Sequence, residues 1–355
     1  IYHGPAAYPE IAQYQEAGYE DVIVSPAVVD YSVIWPDYVM TFRGIKGFYD
    51  AGRMPTPRQG GVSAQPTGTP LKPCGGAICT TWELMYGGLY ENSWYGLIYA
   101  AECGWSLGRT SKADYDRRFA ADWFGTADAT APDLIARALY TPVPPTGEAA
   151  MWRNGTLVQK LLWCAPQDFR RRYMQREPTY LQRAGALSAA CAQWGDALTA
   201  LTKLAQANTK TLEFARLGCD MYALVAAKLT LFDRAAQEYG EAGKALAAGD
   251  ARTAGEKLQS AASALTKLQA GVDALKPGFQ YAVDNMGAHK GDLDALGKQS
   301  EGLRAMAAKL DNLKAQVAAG ALKMLPSGED LGLGFKQYTR VASWGPSQMS
   351  EQEKE

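Results

Sequence analysis

Gly76-Ala77-Ile78-Cys79-Thr80-Thr81-Trp82 is a short apolar run that emerges from a Pro- and Gly-rich stretch, residues 53–73, and leads straight into Glu83. A run of this length bounded by turn formers is the pattern of a buried strand. Upstream, Asp21-Val22-Ile23-Val24-Ser25 repeats the pattern with β-branched residues, as a parallel strand covered on both faces does. Helical segments surround the two runs. Pro9 to Ala17 is closed by Gly18, and Asp37 to Ala51 by Gly52. Trp94 to Leu107 carries the small residues Ala100, Ala101 and Gly104, which suit close packing on a sheet. Ser111, with Asp114 three residues on, is placed as an N-cap, and Asp133 to Tyr140 follows.

Alternation of helix and strand predicts an α/β unit with parallel strands. Two strands are too few for an independent sheet. Either strands are borrowed from elsewhere, or residues 1–144 are the last strands and helices of a (β/α)8 TIM barrel truncated at its N-terminus. The opening on Ile1 rather than Met agrees with the second reading. The expected fold class is therefore α/β followed by all-α. Thr141-Pro142-Val143-Pro144-Pro145 is a linker, after which Ala, Leu, Lys, Glu and Gln dominate. Helices are predicted at 147–164, 178–207, 209–246, 250–287 and 291–320, with Pro277 kinking or ending the fourth. They make an antiparallel helical bundle over residues 145–325, followed by an extended tail at 326–355.

Composition narrows the function classes. The chain of 355 residues is 47% hydrophobic and 21% charged, with a net charge of −1. Lys and Arg are interspersed with Asp and Glu, which argues against a nucleic-acid partner. No apolar run is long enough for a membrane span. The six cysteines show no metal-ligand spacing and read as free thiols, and no metal or other cofactor is expected. Gly-x-Ser-x-Gly, P-loop, His-Glu-x-x-His and dinucleotide signatures are absent. The nine Trp and nineteen Tyr sit mostly in the first half, which suits either a core or a carbohydrate-binding surface.

A parallel barrel places its chemistry at the C-terminal ends of its strands. Asp30, Tyr31 and Trp35 follow the first strand; Trp82, Glu83, Tyr86 and Tyr90 follow the second. Aromatic faces stack on the C–H faces of sugar rings, and carboxylates accept hydrogen bonds from pairs of hydroxyls. Structural roles compete: Trp82 as a plug, Glu83 as the partner of Arg43 or Arg53, Asp30 as a turn cap. Glu102, in mid-helix, reads as an ion-pair partner.

Ala77 to Glu83, then Asn92-Ser93-Trp94-Tyr95, Ala100-Ala101-Glu102 and Trp105-Ser106, resembles the end of the barrel in glycoside hydrolase family 20, the β-N-acetylhexosaminidases. Val22 to Ala27 with Tyr31 resembles that family's seventh strand. The resemblance covers roughly residues 10–125. It implies a retaining mechanism in which the substrate's own acetamido oxygen attacks the anomeric carbon, an exception to the two-carboxylate scheme. It also implies that Tyr31 hydrogen-bonds the acetamido carbonyl, Trp82 forms the wall under the sugar, and Glu83 holds the distal hydroxyls. Asp30 and Trp35 complete the expected contacts. Two departures stand out. Val33 occupies the position where the family has Asp, and Glu83 adjoins Trp82 without the usual intervening residue. The family's Asp-Glu catalytic pair does not occur in the chain.

The expectation is thus a hydrolase of terminal β-linked N-acetylhexosamine, to which this chain supplies sugar-binding residues; its location is left open, a secreted, periplasmic or bacterial cell-surface one being compatible with it. One rival is a non-catalytic glycan-binding or scaffold protein on a degenerate barrel. Another is a two-carboxylate glycosidase using Glu83.

Overall fold

The computed structural model describes residues 8–30, 33–54, 71–82, 89–106, 108–153, 155–164, 179–286, 288, 290–331 and 333. The chain divides into two compact units. The first is Ile1–Pro142 with Gln193–Arg216; the second is Val143–Ala192 with Leu217–Glu355.

The barrel expectation is overturned. The described residues hold ten α-helices and one sheet of two short parallel strands, so the chain is mostly helical. In order along the first unit, α1 is Pro9–Glu16, β1 Ile23–Val24, α2 Tyr38–Arg53 and β2 Gly76–Ala77. Then come α3 (Trp94–Trp105), α4 (Lys112–Arg118) and α5 (Ala131–Ile135). Ile23 pairs with Gly76 and Val24 with Ala77, and an isolated parallel bridge joins Ala27 to Thr80.

The apolar runs had suggested strands covered on both faces, and the burial shows why that inference fails. Val24 is buried against Gly52 of α2 and packs with Tyr8 and Ile11. Ile23 and Ile78 are 53% and 57% exposed. The register puts these two on one side of the ribbon, because side chains alternate along a strand. One helical layer therefore covers one face.

Helix α2 lies against α3, and glycine permits the approach. A Cβ on Gly96 would stand 3.0 Å from Val28 and 3.1 Å from Thr41 and Tyr38. Around this contact the core is aromatic. Phe42 stacks on Tyr99 with ring centroids 3.7 Å apart, and Tyr95 and Tyr115 pack on its flanks. Buried Asp116 accepts hydrogen bonds from Tyr95 and Lys112. Burial pushes its pKa up, which the Lys112 charge opposes. Glu102, the expected ion-pair partner, lies 3.1 Å from Arg118.

The remaining helices are α6 (Gly155–Trp163), α7 (Tyr180–Leu204), α8 (Thr209–Ala247), α9 (Ala251–Met286) and α10 (Lys290–Ala318). The last four fall where the apolar periodicity put them, whereas α6 is shorter than the predicted 147–164, whose start is instead the 3₁₀ turn Ala150–Arg153. The turn between α8 and α9 shows how local chemistry sets a boundary. Gly249 takes φ +82, and the Asp250 N–H reaches back to the Ala245 carbonyl. This left-handed cap suits glycine. Asp250 then caps the next helix by accepting from the Thr253 N–H at 2.9 Å. Helix α9 packs along α10 and does not end at Pro277, which sits inside it. No described helix is long and apolar enough to cross a membrane.

Candidate functional site

The two strand ends are tied together by one buried carboxylate. Asp30, only 2% exposed, accepts from Ser93 Oγ at 2.7 Å, from the Trp82 backbone N–H at 3.0 Å and from Thr81 Oγ1. Its donors come from the segment after β2 and from the 3₁₀ turn Tyr90–Ser93 that leads into α3. Hydrogen bonds from hydroxyl and backbone donors stabilise a carboxylate removed from water. The charge is felt nearby. Burial, then Asp30, raises the Tyr38 hydroxyl well above its ordinary pKa and pushes the Cys79 thiol up to about 11. Tyr38 donates to the Asn92 carbonyl.

Above this knot stands Trp82, 52% exposed. Its backbone is held by Asp30, and its indole Nε1 donates to Thr80 Oγ1 at 3.2 Å. The side chain is thus anchored at both ends while about half its surface faces solvent. A half-exposed indole fixed in place presents a flat apolar face whose ordering cost is already met.

The other expected site residues sit differently. Trp35 is 6% exposed, donates from Nε1 to the Leu139 carbonyl at 3.1 Å and packs edge-on against Trp194 with centroids 5.2 Å apart. It serves the core. Asp30 lies beneath Trp82 and not beside it at the surface. Tyr31, Glu83 and Tyr86 lie outside the described residues. Tyr90 is 37% exposed and meets Trp94 edge-on. Val33 is half-buried.

Sequence reasoning passed over Thr81, Ser93 and Asn92 as functional positions. Small hydroxyl residues give no signal until their acceptor is known. Asn92 is 3% exposed, and neither atom of its side-chain amide has a hydrogen-bond partner. It lies one residue before Ser93, so this buried polar ground extends past the knot.

A second buried charge, also missed, lies in the other unit. Lys228 of α8 is 1% exposed, and its Nζ donates to the carbonyls of Leu161, Leu162 and Cys164 and to Gln299. These carbonyls lie in the last turn of α6 and just beyond it, where a helix leaves acceptors unsatisfied. The ammonium caps them and complements the helix dipole. Burial pushes its pKa down to about 7, against the smaller opposing effect of Cys164. Among the described residues, no group of His, Cys, Asp and Glu is arranged to hold a metal ion.

No protein-family model, no curated protein and no solved structure matches the chain.

Proposed function

We propose that this chain supplies the sugar-binding surface of a β-N-acetylhexosaminidase-type hydrolase, with Trp82 as the platform on which a terminal N-acetylhexosamine stacks. The observation that carries this reading is the half-exposed indole, anchored through its backbone to buried Asp30 and through Nε1 to Thr80. An apolar sugar face laid on that ring removes water from both surfaces, which favours binding. Tyr31 and Glu83, next to Asp30 and Trp82 in the chain, supply the polar contacts to the acetamido group and the distal hydroxyls. The Asp-Glu pair that performs the chemistry in the resembling family is not in this sequence, so the role of these residues is binding.

Calorimetric titration with N-acetylglucosamine and its β-linked disaccharide tests the proposal. Wild type is expected to bind, and Trp82→Ala to bind about ten-fold or more weakly, one stacking contact being worth about 1.5 kcal/mol. Trp35→Phe, a change in the core, keeps the affinity. Equal affinity in wild type and Trp82→Ala overturns the assignment.

A second reading, non-catalytic glycan binding or scaffolding, is favoured by one observation. Asp30 is turned inward, and the family's other carboxylate position is Val33. Sugar binding without release from a chromogenic N-acetylhexosaminide, in a protein whose gene carries no Asp-Glu pair upstream of Ile1, selects this reading.

A further inference from the structure

Helices α8 and α9 border a groove of about 330 Å³ in the second unit. Its floor is apolar, with Leu231 of α8 half-buried and Ala264 of α9 buried. Its walls are polar. Arg234 stands on α8, while Ser260, Ser263 and Lys267 stand on α9. Their spacing of three and four residues lines these three up along one helix face. The Arg234 guanidinium donates to Ser260 Oγ at 3.4 Å. That bond is long and leaves most of the guanidinium's N–H groups uncommitted. Gln259, also in the wall, is held by Lys314 of α10, which donates to its amide oxygen.

The charge around this groove is unbalanced. Arg252, Lys257 and Lys276 of α9 each lie within 3.0 Å of a carboxylate oxygen. Lys267, the remaining cation of that helix, pairs with no carboxylate among the described residues, and neither does Arg234. Glu256 is the carboxylate of the wall. It is taken by Arg252 at 3.0 Å and stands about three helical turns from Lys267. The end of the groove at Arg234, Ser263 and Lys267 is therefore rich in donors. Guanidinium and ammonium groups only donate, and serine hydroxyls can donate with them. Such a set complements a tetrahedral oxyanion, whose oxygens accept. The volume lies near the small end of ligand sites and suits one small molecule.

We propose that the α8–α9 groove binds a phosphate or sulfate ester of a small polar molecule. Arg234 and Lys267 clamp the oxyanion from the two helices, Ser263 donates to it, and the body of the ligand lies over Leu231 and Ala264. The lining residues sit on helices, which hold a site in place better than loops do. The groove belongs to the second unit and Trp82 to the first, so this site does not rest on the sugar-binding reading.

Calorimetric titration of the full chain at low ionic strength tests this, with glucose 6-phosphate and glucose 6-sulfate as probes. One ester is expected to bind per chain, and sodium chloride to weaken it, because both cations are exposed. The tighter of the two esters identifies the oxyanion. Arg234→Gln and Lys267→Gln are each expected to weaken binding about ten-fold. Both positions are on the surface, so the variants are expected to keep the wild-type melting temperature. Trp82→Ala is expected to leave ester binding unchanged, which separates this site from the indole. Absence of binding by either ester, or equal affinity for glucose itself, overturns the proposal. So does inorganic phosphate or sulfate binding as tightly as its ester, the sign of an adventitious ion only. Affinity retained when Arg234→Gln and Lys267→Gln are combined, or lost in Trp82→Ala, overturns it as well.

Discussion

Asp30 and Lys228 are both charged, both buried and both placed where an element ends, yet they are solvated in opposite ways. Asp30 draws hydroxyl and N–H donors from two separate segments after β1 and β2. Lys228 draws carbonyl acceptors chiefly from one helix end. The first arrangement fixes the backbone of an exposed aromatic residue. The second completes a helix terminus and presents nothing to solvent. The two buried charges thus differ in whether the group they position reaches the surface.

Removing each charge sharpens the contrast. Asp30→Ala leaves the Thr81 and Ser93 hydroxyls and the Trp82 N–H without their shared acceptor, and is expected to cost about 4 kcal/mol in urea unfolding. The same variant is expected to lose sugar affinity even where it remains folded, since the Trp82 backbone is released. A loss below about 1 kcal/mol contradicts the role of Asp30 as the knot between the strands. Lys228→Met keeps the apolar stem and removes the ammonium from the α6 carbonyls. Its expected cost is smaller, about 2 kcal/mol, because the desolvation of the charge disappears with it.

The pH dependence separates the two charges further. Lys228 has a pKa of about 7 in the folded chain against an ordinary 10.5. Between those values the unfolded chain binds more protons, so raising pH favours folding. Stability is expected to climb from pH 7 toward pH 9 by up to about 1.4 kcal/mol per unit from this group, and Lys228→Met is expected to flatten the climb. Above that window the buried thiols and tyrosines act with the opposite sign. Cys79, Tyr38 and Tyr95 keep their protons when folded beyond the pH at which they lose them unfolded, so stability falls again. Identical pH profiles in wild type and Lys228→Met contradict the assignment.

Much of the helical part was legible because its periodicity is long and its boundaries carry their own chemistry. Predicted 209–246 is observed as Thr209–Ala247, and Gly249-Asp250 ends one helix and caps the next with side chains visible in the sequence. The strands were legible as positions but not as a fold. Asp21 to Ser25 reads the same whether one face is covered or two, and it is the presence of only two short strands among ten helices in the described residues that removes the barrel. Trp35 and Trp82 were equivalent as letters, each one a Trp after a strand. Only tertiary packing against Trp194 and Leu139 makes Trp35 a core residue. Lys228 had a faint signal, a lone charge between Val225 and Phe232 on a face of α8 that is otherwise apolar, but its acceptors come from a helix far away in the chain.

The most direct test of the Trp82 platform is the indole N–H region of a ¹H–¹⁵N NMR spectrum during titration with the β-linked N-acetylglucosamine disaccharide. One of the nine Trp signals is expected to move with the sugar, and Trp82→Phe is expected to remove that signal and no other. A spectrum in which no indole responds, or in which the responding signal survives in Trp82→Phe, contradicts the placement of the sugar on Trp82.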